Sequence, residues 1–274
     1  MDNSVTVVRC PRCGSMDAGS VEAIHIEFDR MKCSACGHES ICDDYQIKDD
    51  WNDHVSPDLV SREQWHTLPS VRFQSLWQTL GAEGHSGDVL RQLRAAYAEP
   101  HRAYHGARHI GACLRLLDDP AVKALATRLD EVEAAIWFHD AIYDPRATDN
   151  EERSAQMAEA RLGDAGVAPE VVARIASYVR ATKHHSADSP DGDLVIDVDL
   201  SILGEAPHVF TRFEDEIRRE YAWVEEAAYA AGRAAVLLRF DEREHIYRSP
   251  LFRDRYESNA RKNIAASVQK LAAK

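Results

Sequence analysis

Glycine and proline are scarce, at 13 and 10 of 274 residues. That scarcity disfavours a turn-rich all-β protein and fits long helices. No apolar run approaches the ~20 residues that a membrane helix needs; the longest, such as 134–138 and 234–238, stop after about one helical turn. The N-terminus has no basic region and no apolar stretch behind it, so no secretory signal is expected. A soluble, cytoplasmic protein without membrane partners is the expectation. Cations are also few: Lys plus Arg number 33 against 46 Asp plus Glu, a formal charge of −13. That deficit makes nucleic acid an unlikely partner and argues against coating an anionic membrane. No internal repeat or low-complexity tract is present. With 45% hydrophobic and 29% charged residues the chain is globular in composition. Its length allows one large core, or a core plus a small satellite.

Cysteine is concentrated at one end. Four of the six fall in two C-x-x-C pairs, Cys10/Cys13 and Cys33/Cys36, each followed by glycine, while Cys42 and Cys113 stand apart. In a cytosolic chain such spacing points to metal rather than to disulfides. Two knuckles supply four thiolates and close a tetrahedral structural Zn²⁺ site with no open position. A redox dithiol is the rival, disfavoured by the paired knuckles. The segment is too small to fold on apolar burial alone, so metal binding would supply its folding energy. It resembles the zinc-ribbon family. Residues 1–50 carry ten acids and five bases, so the phosphate-binding cluster of a nucleic-acid ribbon is missing. A small folding module, or one docking a protein or a second subunit, is expected instead. The organisation expected is a β zinc ribbon over 1–48, a linker over 49–70 and a mainly α unit over 71–274.

Three helical segments of the long unit place metal-capable residues among apolar ones, where an unpaired polar group is costly. His105 and His109 are one turn apart, and continuing that stripe reaches Ala112, Cys113 and Leu116. The stripe Val132, Ala135, Ile136 runs into His139, with Asp140 beside it. In 194–203 the neighbours of Asp199 at three and four residues are Val195, Ile196, Ile202 and Leu203, whereas those of Asp197 are mixed, so Asp199 is read as the inward ligand. Two imidazoles and two carboxylates suit Mn²⁺, Fe²⁺, Mg²⁺, Zn²⁺ or Ni²⁺, with positions left for water and substrate.

The order His109 … His139-Asp140 … Asp199 resembles the HD-domain superfamily of metal-dependent phosphohydrolases. The fuller pattern is similar to its small phosphohydrolases of unproven substrate: Glu99-Pro100-His101-Arg102-Ala103-Tyr104-His105, Trp137-Phe138-His139-Asp140-Ala141, Asn150-Glu151, Lys183-His184-His185, Asp197-Val198-Asp199 through Gly204, Arg218-Arg219-Glu220-Tyr221 and Arg261-Lys262-Asn263. The resemblance covers about residues 72–270 and implies a helical bundle in which His109, His139, Asp140 and Asp199 hold a divalent ion, with Mn²⁺ favoured. The Tyr104-His105 spacing to His109 also resembles cyclic-nucleotide phosphodiesterases, which implies His105 as proton donor to the leaving oxygen. Asp144 stands where alarmone hydrolases of the superfamily carry an acid, although Tyr143 replaces their preceding glutamate.

A second metal would rest on His185, with His184 as the alternative, because the stripe Val171, Val172, Ile175, Val179, Thr182 turns His185 nearer the inward face. The expected chemistry is attack of water on the phosphoryl group of a small phosphorylated molecule, most plausibly a nucleotide, with Asp140 taking the water proton. Arg102, Arg108, Lys183 and Arg218 are the candidate phosphate clamps, with Arg233 and Arg261 further off. Two alternatives stand beside this reading. A di-iron oxygenase would need more ligands than His184, His185 and His208 offer, and a non-catalytic HD regulatory or docking module would have no use for four ligand types.

Overall fold

The computed structural model describes Leu68 and residues 70–273, together with the backbone of short strands among the first 47 residues. Those strands are β1 (Val8–Arg9), β2 (Val21–His25), β3 (Arg30–Cys33), β4 (Glu39–Ile41) and β5 (Gln46–Ile47). β2, β3 and β4 pair antiparallel in that order, and β1 pairs antiparallel with β5. Cys10, Cys13 and Cys36 lie outside the described residues, as does the expected linker.

From Ser70 onward the described chain is helical, without strands. The helices are α1 (Ser70–Thr79), α2 (Ser86–Tyr97), α3 (Ala107–Leu116), α4 (Leu129–Phe138), α5 (Asn150–Asp164), α6 (Pro169–Ala181), α7 (Pro190–Asp199), α8 (Pro207–Glu220), α9 (Glu226–Asp241) and α10 (Ser258–Ala272). Single turns at Pro120–Lys123 and Pro250–Phe252, a 3₁₀ segment at Leu200–Gly204 and a π-type turn at Arg253–Glu257 join them. Local chemistry explains many of the starts. Proline occupies the first turn of α6, α7 and α8, where its missing N–H would have had no partner. The Ser189 hydroxyl accepts from Gly192 N at the start of α7, and the Glu225 carboxylate accepts from Ala227 N and Ala228 N at the start of α9. None of the described helices is long and apolar enough to cross a membrane.

α4 is the centre of the bundle. Val132, Ala134, Ala135, Ile136, Trp137 and Phe138 are all buried, as expected of a helix apolar on every side. It packs against α1, α3, α5, α6 and α7. Burying Ile136, Trp137 and Phe138 contributes about 1.5–3 kcal/mol each. This rigid axis delivers its C-terminal residues, His139 and Asp140, to the floor of the site. Opposite, α9 packs on α10, and α10 on the 3₁₀ segment that follows Asp199. Gly204 closes that segment: a Cβ there would lie 2.5 Å from the Tyr256 Cβ and 2.6 Å from its carbonyl oxygen, so no side chain fits. Asn263 on α10 donates to the carbonyls of Leu203 and Glu205 and fixes the same turn.

Two boundaries differ from the sequence reading. α3 starts at Ala107 behind Gly106, so His105 precedes the helix instead of sharing its stripe with His109. Further breaks fall at 221–225 and 242–257, the second marked in the sequence by Ser249-Pro250, which caps the turn Pro250–Phe252.

Candidate metal centre and its cleft

His109 projects from the first turn of α3, His139 caps α4 with helical backbone angles, Asp140 follows in the turn, and Asp199 ends α7. Their polar atoms converge. His109 Nε2 is 3.1 Å from His139 Nε2 and 3.1 Å from Asp199 Oδ1. Asp140 Oδ2 is 3.2 Å from His139 Nε2 and 3.7 Å from His109 Nε2. Ligands about 2.1 Å from one ion and at right angles to each other lie about 3.0 Å apart. The spacing therefore suits a shared cation, and one ligand atom each from His109, His139 and Asp199 falls within a 4.8 Å group.

The protonation chemistry fits as well. His139 Nδ1 is 3.0 Å from the Ile136 carbonyl, which can only accept. That contact fixes a proton on Nδ1 and turns Nε2 toward the cluster, where its lone pair would be offered to a bound cation. Without a cation, burial opposes the ring's charge, but Asp140 and Asp199 outweigh it and raise the His139 pKa well above the ordinary value. Burial opposes ionisation of Asp140 and Asp199, but the histidines beside them outweigh it and hold both carboxyls well below the usual range. A divalent ion would act on these carboxylates in the same direction.

The cluster opens on a cleft of about 830 Å³ that Asp140, Asp199 and His105 help to line. His105 is held by a residue the sequence reading quoted without a role. Glu220, at the end of α8 and fully shielded from solvent, places Oε2 2.6 Å from His105 Nδ1. Its Oε1 accepts from the backbone N–H groups of Ala103, Tyr104 and His105. The Tyr143 hydroxyl donates to Oε2 at 2.7 Å, and its ring stacks on His105 at 4.2 Å. Burial works against the His105 charge, but the hydrogen bond from Glu220 and the charge of Asp140 prevail and raise its pKa. Burial likewise opposes the Glu220 charge, yet His105 brings that carboxyl down to about 2. The pair is a charged, oriented proton donor at the cleft wall. A buried glutamate at the polar end of an amphipathic helix was the available signal.

His185 is closer to the cluster than His184: its Nε2 is 3.9 Å from Asp199 Oδ2, and its ring meets Phe240 edge-on. Its backbone is left-handed, with φ +49°, a conformation costing about 1–2 kcal/mol away from glycine. Arg243 and Arg248 donate to its carbonyl and hold it there. Burial brings the His185 imidazole down to about 4, so it is neutral at pH 7. His208 is exposed and outside the cleft lining.

Several sequence expectations land elsewhere. Asp144 is exposed, accepts from Arg146 N in its own loop and does not line the cleft. Arg102 is buried and spends its guanidinium on Glu99 and on the carbonyls of His105, Asp140 and Ala141. It ties the His139-Asp140 turn to the His105 loop from behind and is not itself part of the cleft lining. Arg108 pairs with Glu216, while Arg218 donates to the carbonyls of Tyr221 and Val224 beneath Tyr229. Arg261 pairs with Glu257 and Asp241. Arg233 lines the cleft but is paired with Glu214. Lys183 is the one proposed clamp in the lining without a carboxylate partner among the described residues. The burial argument for Asp199 over Asp197 is also corrected. Asp197 is the fully buried one, its two oxygens accepting from the N–H groups of Arg248 and Ser249; Asp199 faces the cleft with its side chain 17% exposed.

Comparison with protein-family models, with curated proteins and with solved structures returns no match.

Proposed function

We propose that the chain is a metal-dependent phosphohydrolase of the HD-domain type, acting on a small phosphorylated molecule, most plausibly a nucleotide. The observation that carries this reading is the juxtaposition of His109, His139, Asp140 and Asp199 with the His105–Glu220 pair on one cleft. A divalent ion in the cluster, Mn²⁺ by preference, would supply a Lewis acid that acidifies water and offsets charge on a phosphoryl oxygen. The side chains do the rest. Asp140 is placed to take the proton of the attacking water, and His105, its Nδ1 fixed by Glu220, presents Nε2–H to the leaving oxygen. Glu220 keeps that imidazole charged until the P–O bond breaks. Asp144, Arg102, Arg108 and Arg218 have no direct part in the reaction.

For the first 48 residues we propose a zinc ribbon, supported by the paired knuckles of Cys10, Cys13, Cys33 and Cys36. Its place is structural, as a docking module for a protein or a second subunit.

The test is phosphate release from a panel of nucleotides and phosphate esters with Mn²⁺, comparing wild type, His139→Ala and Asp140→Ala. Release by wild type that falls by at least a hundredfold in both variants supports the reading. No release from any member favours a non-catalytic module, and two irons per chain with O₂ consumption favours an oxygenase.

A further inference from the structure

α9 forms one wall along the length of the cleft, and its two ends differ in chemistry. Toward its N-terminal end the lining residues are Ala228, Tyr229, Gly232 and Arg233, the last paired with Glu214, with Val236 and Leu237 following. Beyond them come Arg239 and, just past the end of the helix, Arg243. From 228 to 239 that wall runs about 16 Å at 1.5 Å per residue. Two contacts orient it. His185, next to Asp199, meets Phe240, while Tyr229 meets Tyr221, the neighbour of Glu220. The cationic end therefore lies on the His185 side of the metal cluster, and the aromatic end on the side of the His105–Glu220 pair.

Lys183 also lines the cleft. Among the described residues, Lys183, Arg239 and Arg243 have no carboxylate within 4 Å. Lys183 donates to the Thr148 carbonyl, and Arg243 to those of His184 and His185. Carbonyls fix a cation in place without neutralising it. Arg243 is half-buried over the Phe240 ring, and its own burial and the nearby Arg248 both lower its pKa. Clustering like charges at a partly desolvated wall is unfavourable unless an anion joins them. In a chain with net charge −13, Arg239 and Arg243 lining the cleft of the metal cluster with no carboxylate within 4 Å among the described residues are a specific feature.

We propose that Arg239 and Arg243 form a second anion subsite, so that the substrate is an organic di- or polyphosphate. One phosphoryl group sits at the metal cluster, a further phosphate is held by the two arginines, and the apolar or aromatic part lies against Tyr221 and Tyr229. This rests on the phosphohydrolase reading and narrows its substrate class. Bidentate guanidinium–phosphate pairs are charge-assisted and orienting, so the subsite discriminates by phosphate number.

The test uses the full chain with Mn²⁺ and titrates inorganic phosphate and tripolyphosphate by calorimetry. Wild type is compared with Arg239→Gln, Arg239→Gln/Arg243→Gln, His139→Ala and, as a control outside the lining, Arg153→Gln. Arg239 is exposed and makes no hydrogen bond or ion pair among the described residues, so Arg239→Gln is read first. The expected result is tripolyphosphate bound at least tenfold more tightly than phosphate. Arg239→Gln should weaken tripolyphosphate roughly tenfold and leave phosphate unchanged. The double variant should lose the preference, and Arg153→Gln should keep it. Equal affinities in wild type, or equal losses for Arg239→Gln and Arg153→Gln, would overturn the subsite. So would an Arg239→Gln protein with lowered Tm but unchanged tripolyphosphate affinity, because Arg239 would then only offset the dipole at the end of α9. Arginine-dependent binding without phosphate release from any substrate would sink the hydrolase reading and leave the subsite standing. Release of phosphate with no arginine dependence would do the reverse.

Discussion

Glu220 sits behind His105: one carboxylate oxygen is 2.6 Å from the imidazole Nδ1, and the other takes the backbone N–H of the same residue. A single buried side chain thus sets both the position of the His105 backbone and the charge of its ring. The first prediction concerns pH. With its pKa raised above the ordinary 6.5, His105 holds its proton to higher pH than a free imidazole, and the alkaline limb of kcat/KM lies above pH 6.5. Glu220→Gln should shift that limb downward and reduce kcat at pH 8 by at least tenfold, toward the ~10²–10⁴-fold loss expected of His105→Ala. A pH–rate profile of the three proteins is the check. An unshifted limb in Glu220→Gln would deny Glu220 its part.

The same pair makes a signed prediction for stability. Glu220 is held at about 2, below its ordinary 4.5. Its contribution is therefore full above about pH 4.5 and disappears as pH falls through the folded value. His105, raised, contributes fully below 6.5 and loses that contribution as pH rises through its folded value. Tm measured from pH 3 to 9 should fall less at both ends in Glu220→Gln than in wild type.

Divalent metal should stabilise the fold. At a hundred times its Kd an ion bound only by the folded state contributes about 2.7 kcal/mol, or roughly 5–10 °C in Tm for a unit of this size. Mn²⁺ should produce that shift in wild type, and His139→Ala should abolish it. Thermal melts in Mn²⁺ and in EDTA read it directly.

Arg102 should behave as a positioning residue. Its removal leaves the carbonyls of His105, Asp140 and Ala141 without their donor, at about 1–3 kcal/mol for each group left unsatisfied. Arg102→Lys keeps the charge but not the fork. It should lower Tm and kcat while KM for substrate changes little, whereas a residue clamping phosphate would show itself in KM.

The ribbon and the metal cluster should be separable. Cys10→Ser/Cys33→Ser should remove one zinc per chain by elemental analysis and leave the Mn²⁺-induced Tm shift of the helical unit in place. Unchanged zinc content would contradict the four-thiolate site.

The helical class and the cluster were legible because both write short-range signals. α4 carries the apolar run 134–138 straight into His139-Asp140, and His109 and Asp199 interrupt other apolar stretches. The rest depends on which elements meet. Nothing near Arg102 reveals that its donors go to carbonyls 38 and 39 residues away. Nothing near Asp197 reveals the amides of Arg248 and Ser249 that allow it to be buried. His105 was placed on the α3 stripe because Gly106 was not read as the helix boundary. Arg239 and Arg243, four residues apart at the end of α9, left a signal, but that Arg243 meets carbonyls and no carboxylate is visible only when α9 stands against the α6–α7 connection.

The central claim is that His109, His139, Asp140 and Asp199 bind one catalytic divalent ion. The most direct measurement is to titrate metal-free protein with Mn²⁺ while following phosphate release from the best substrate of the panel, for wild type and Asp199→Ala. The account predicts activity that rises to a plateau near one Mn²⁺ per helical unit and is lost in Asp199→Ala. Release that is unchanged without metal, or equal in the variant, would contradict it.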